Sequence, residues 1–140
     1  MKHALIAFAF FLMAFSPMTT TSTVTFSDVR GTSDSNGILL QWSTSQENGI
    51  KDFAIEKASQ IDNKFFQIGT VNATGAGSIY QYTDNSIYKS TSASIFIYRI
   101  RADGNDNTVS YSAPVTVTYE FSGLSGVARR TWGSIKAMFR

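Results

Sequence analysis

The run Gly37-Ile38-Leu39-Leu40-Gln41-Trp42 constrains this chain more than any other stretch. It is short, follows the turn residues Asp34-Ser35-Asn36-Gly37, and ends on the one tryptophan of the central region. Strand alternation puts Ile38, Leu40 and Trp42 on one face and Leu39 and Gln41 on the other. Burying that indole stabilises a fold of this size by a few kcal/mol, at roughly 25 cal/mol per Å² of apolar area. The surrounding sequence must therefore supply strands that cover it.

From Thr23 onward the chain does read that way, as short alternating runs separated by turn chemistry, the pattern of a sandwich or barrel. Strands are predicted over residues 24–29, 38–42, 52–57, 65–71, 78–84, 94–102 and 109–117. Gly37 is available for a positive φ, and Ser45-Gln46-Glu47-Asn48-Gly49 is expected to be a polar loop. On the third strand Phe53 and Ile55 face the core and Glu56 faces out. Pro114 interrupts the seventh strand, which places it at an edge or bulge. The predicted fold is all-β, a seven-stranded antiparallel β-sandwich over residues 23–119.

Both ends depart from this pattern. Lys2 and His3 precede twelve uninterrupted apolar residues, 4–15, followed by Ser16-Pro17 and a Thr/Ser run. A short basic segment, an apolar run of this length and a polar exit describe a secretory signal peptide, taken as residues 1–22 with cleavage after Ser22. The run is too short to span a bilayer, which takes about 20 residues. Export follows, to the periplasm, the cell surface or the medium.

Residues 120–140 change period from two to helical. At 100° per residue Leu124, Val127, Ala128, Trp132, Ile135, Met138 and Phe139 share one side, while Arg129, Lys136 and Arg140 cluster opposite with Arg130 nearby. This predicts a C-terminal amphipathic helix. Residues 126–140 carry a net +4 without an acid, whereas residues 24–120 carry seven Lys/Arg against ten Asp/Glu, a net of −3. The sequence pI near 9.0 is thus a property of the tail, and a basic body that would grip nucleic acid is missing. Arg129, Arg130, Trp132, Ile135, Lys136 and Phe139 are the candidate contact residues, for an anionic membrane surface, a partner's groove or the chain's own sandwich.

Catalytic constellations are sparse. The single His is His3, inside the predicted signal peptide, and Cys is absent, so Ser-His and Cys-His nucleophilic arrangements are excluded from the mature chain. Paired carboxylates are the remaining acid/base option, and Glu47 in a loop and Glu56 on an outward face do not converge. Asp103-Gly104-Asn105-Asp106-Asn107 is oxygen-rich but lacks EF-hand spacing, and reads as a hairpin turn rather than a metal site. No catalytic residue, metal ligand or cofactor is assigned. Tyr80, Tyr82 and Tyr88, on or beside a predicted edge strand, are candidates for stacking on sugar rings if exposed together. One ring of the Phe65-Phe66 pair must also point away from the core.

Trp42 on the second strand, Tyr98-Arg99-Ile100-Arg101-Ala102 on the sixth and Tyr111-Ser112-Ala113-Pro114-Val115 on the last resemble a fibronectin type III domain. Leu40-Gln41-Trp42-Ser43-Thr44, Glu47-Asn48, Phe53-Ala54-Ile55-Glu56-Lys57 and Phe66-Gln67-Ile68-Gly69-Thr70-Val71 extend the resemblance to the fibronectin-type modules of secreted and cell-surface proteins of Bacteroidetes. The resemblance covers residues 24–119. It implies that the third and sixth strands are neighbours, so that Glu56 pairs with Arg99 or Arg101. The resemblance is specific for fold and poor for function. The tail's net +4 beside a sandwich of net −3 points to an exported, non-enzymatic binding or structural module of the cell envelope that contacts a protein or anionic membrane through the tail; the alternative is a carbohydrate-binding module built on exposed tyrosines.

Overall fold

The computed structural model describes residues 20–34, 36–61, 63–89 and 94–120, with the side chains of residues 88 and 89 excepted. Residues 1–19 of the predicted signal peptide and the tail residues 121–140, including Arg129, Arg130, Trp132, Ile135, Lys136 and Phe139, lie outside them. No described helix is long and apolar enough to cross a membrane.

Eight strands are present among the described residues: β1 Thr23–Asp34, β2 Gly37–Asn48, β3 Ile50–Ser59, β4 Phe66–Asn72, β5 Ile79–Asp84, β6 Ser94–Gly104, β7 Val109–Tyr111 and β8 Val115–Tyr119. A single turn of 3-10 helix, Asn85–Lys89, follows β5. The protein is all-β, and every strand pairing is antiparallel. One sheet has the order β1-β2-β5; the other runs β4-β3-β6, with β7 and β8 both on the far side of β6.

The two sheets share one core, and Trp42 (1% exposed) lies in it beside Ile38, Leu40, Phe53, Ile55, Tyr98 and Ile100. Its ring stacks on Tyr80 at 5.4 Å between centroids and meets Phe53 edge-on at 5.9 Å. Phe26 closes the cluster edge-on to Phe53 at 6.1 Å. Period-two alternation thus does what the sequence requires of it: β2, β3 and β6 each send one row of large side chains inward.

Several boundaries differ from the sequence reading. The expected polar loop at residues 45–49 is continuous strand to Asn48 and a bend at Gly49 (φ 63°), because β1 pairs with β2 as far as Thr23 opposite Asn48. Glu47 is therefore a strand residue. The predicted seventh strand is divided at residues 112–114 into β7 and β8. Across that break Ser112 keeps β6 satisfied: its N–H donates to the Ile100 carbonyl at 2.9 Å and its Oγ accepts from the Ile100 N–H at 3.0 Å. Ser22, placed last in the predicted signal peptide, belongs to the sandwich. It is buried, its N–H donates to Asp106 Oδ2 at 2.8 Å and its hydroxyl donates to the Gly49 carbonyl at 2.9 Å. A cut after Ser22 would remove both bonds. At the opposite end of β6 from these contacts, Tyr119 of β8 sits across from Ser94.

Candidate functional site

The outer face of the larger sheet holds the most organised set of side chains open to solvent. Glu56 of β3 and Arg99 of β6 are directly opposed in register, with Arg101 two residues further on the same face. Arg99 Nε donates to Glu56 Oε2 at 2.7 Å and Arg101 Nη1 to Glu56 Oε1 at 2.9 Å, so each carboxylate oxygen has its own guanidinium. The outward direction expected for Glu56 is right, and its expected pairing with Arg99 or Arg101 is made with both, in a part-buried contact. The two arginines cover the carboxylate, leaving the residue 6% exposed.

Arg101 also grips Asp103 through two bonds, 2.8 and 2.9 Å. That hydrogen bonding, with the charges of Asp103 and Glu56, holds its guanidinium above the ordinary arginine value in spite of partial burial. Arg99 lies between two rings, its guanidinium carbon 4.1 Å from the centroids of both Phe65 and Tyr111. Tyr111 is half exposed and Val109 and Ile95 are exposed on or beside this surface. The result is an arginine-aromatic ledge.

The tyrosines take other roles. Tyr80, expected to be exposed, is 5% exposed and faces the core, because its register partner is Trp42 and opposed residues share a face. Its hydroxyl donates to Glu47 Oε1 at 2.8 Å and accepts from the Thr74 N–H at 2.9 Å. Tyr82 is half-buried, donates to the Ile68 carbonyl at 2.8 Å and lies over Gly69. These two do not form an exposed stacking pair. Tyr88 is in the 3-10 turn, with its side chain outside what is described.

Of the two carboxylates weighed for acid/base chemistry, Glu47 is also engaged. It accepts from Thr44 Oγ1, from Tyr80 and from the Gly75 N–H at 2.9 Å, and so pins the loop between β4 and β5. The 103–107 stretch is a hairpin turn in which Asp106 Oδ1 accepts from Thr108 N–H at 3.1 Å and Oγ1 at 2.6 Å. Those bonds and the one from Ser22 hold the Asp106 carboxyl below its ordinary value. Among the described residues no group of three His, Cys, Asp or Glu is placed to hold a metal ion.

One cluster was not anticipated. Lys57 alternates with Phe53 and Ile55, and so enters the core rather than leaving it. Its Nζ meets Asp84 Oδ2 at 2.7 Å, with the two side chains 8% and 4% exposed. Asp84 also accepts from Tyr98 Oη at 2.9 Å, from Ser86 N–H at 2.9 Å and from Ser86 Oγ at 2.6 Å. Burial pushes the Asp84 carboxyl up, but the bonds from Lys57, Ser86 and Tyr98 outweigh it and leave the group below its ordinary value. The sequence signal was the parity of Lys57; its partner, on a strand of the other sheet, had no local signal.

No protein-family model and no curated protein matches the chain. A solved structure of pectate lyase Pel3 from Pectobacterium carotovorum is similar at a TM-score of 0.49 and 16% identity, over 66% of this chain and 26% of that one. The chain thus spans about a quarter of that protein's length.

Proposed function

We propose that this protein is an exported, non-enzymatic binding module of the cell envelope, a fibronectin type III-like sandwich that contacts a protein partner. The sheet orders β1-β2-β5 and β4-β3-β6-β7 support the fold reading. Glu47 and Glu56, the carboxylates best suited to acid/base work, are both committed to internal bonds, which favours binding over catalysis.

The observation that carries the reading is the Phe65-Arg99-Tyr111 stack on an open sheet face. Arginine and tyrosine are the residues in which interface energy concentrates, and side chains already locked in place lose little entropy on binding. The tail is the second contact, through Arg129, Arg130, Trp132, Ile135, Lys136 and Phe139.

Affinity capture from the envelope fraction tests this, using the full-length chain, its Tyr111→Ala and Arg99→Ala variants, and a chain ending at residue 121. One retained protein should lose about tenfold or more in affinity with Tyr111→Ala, and further affinity without the tail. Undiminished capture by both point variants would overturn the sheet-face contact. Tail-dependent partitioning onto anionic vesicles, with no protein retained, would replace the protein partner by a membrane.

A further inference from the structure

We propose that Lys57 and Asp84 form an intramolecular amide bond that joins the two sheets covalently. Lys57 Nζ, on β3 of the larger sheet, lies 2.7 Å from Oδ2 of Asp84, the last residue of β5 in the smaller one. Both side chains are shielded from water, and the Phe96 ring centroid lies 4.2 Å from Nζ. A buried ion pair carries a desolvation penalty, which conversion to a neutral amide and a departing water removes. Fixed proximity does the work of a very high local concentration, which condensation in water lacks.

The groups around the carboxylate are divided by task. Oδ1 takes two donors, the Ser86 N–H at 2.9 Å and Ser86 Oγ at 2.6 Å, an arrangement that stabilises negative charge gathering on that oxygen. Oδ2 takes the Tyr98 hydroxyl at 2.9 Å beside Nζ, so this oxygen faces the two groups that can pass it protons while Oδ1 faces the Ser86 donors.

The step begins with transfer of one ammonium proton from Nζ to Oδ2, giving an amine and a carboxylic acid. The amine lone pair attacks Cγ, forming the N–C bond, and Oδ1 carries the charge against Ser86. A second proton then passes from nitrogen to Oδ2 by way of the Tyr98 hydroxyl. The Cγ–Oδ2 bond breaks, water leaves and the amide remains. One water is lost, with no oxidant, reductant or metal.

Intact-mass spectrometry on the purified, folded full-length chain, followed by peptide sequencing, is the test. The expected mass is one water short, about 18 Da, with a branched peptide joining Lys57 to Asp84. Lys57→Arg keeps the cation beside Asp84 and should show the full mass; Ser86→Ala should slow the loss in a time course after refolding. An unmodified mass in the folded protein after prolonged incubation would overturn the proposal. So would a water loss that persists in Lys57→Arg, which would mark cyclisation at Asp84 alone.

Discussion

Trp42 concentrates the core in one side chain. Its indole Nε1 is the one buried side-chain polar atom with no hydrogen-bond partner among the described residues, so the residue acts there through volume and ring contacts. Trp42→Ala should destabilise by about 3–5 kcal/mol, whereas Trp42→Phe, which also removes the unpaired N–H, should cost clearly less. Urea unfolding of both variants measures the difference.

Tyr98 gives the fold an alkaline limit. Burial above all pushes its hydroxyl above the ordinary tyrosine value, and the charge of Asp84 and the bond to it add to this while Asp84 is a free carboxylate. The folded protein therefore holds this proton more tightly than the unfolded chain does. Its contribution is complete below pH about 10 and is lost as pH rises beyond that. Unfolding free energy should fall with pH in that range, and Tyr98→Phe should make the fall shallower, with the smaller like-signed effect of Tyr82 remaining.

Among the elements, β4 and β5 show why some of the molecule was legible and some was not. Period-two alternation located both strands within a residue or so. What alternation alone did not give is register. The placement of Tyr80 at an edge suggested exposure, yet its position opposite Trp42 commits it to the core. Lys57 likewise follows its parity with Phe53 and Ile55 to the inside, where Asp84 of the other sheet and Ser86 meet its charge.

The same two edge strands meet at Gly69, where an added Cβ would fall 2.3 Å from the Tyr82 ring. Gly69→Ala should displace that ring, break its bond to Ile68 and cost about 1–3 kcal/mol in thermal or chemical unfolding. An unchanged midpoint would show that the ring moves freely.

At the scale of the whole molecule, the sandwich was readable from its punctuation and its single central tryptophan, and the ledge on its outer face only in part. The pairing of Glu56 with Arg99 or Arg101 followed from the neighbouring third and sixth strands, but the insertion of Arg99 between Phe65 and Tyr111 joins segments from three places in the chain at once. The direction of travel through the fold also emerges only at this scale. The described chain joins the sandwich at Ser22, beside the Gly104 end of β6, and leaves it at Tyr119, beside the Ser94 end. Those ends are separated by the length of an 11-residue strand, roughly 30 Å or more at about 3.3 Å per residue. Tension applied between the two attachment points would therefore act along the first and last strands. It would strain the rungs of the β1-β2 and β6-β8 ladders together in shear, a geometry suited to bearing load rather than opening one rung at a time.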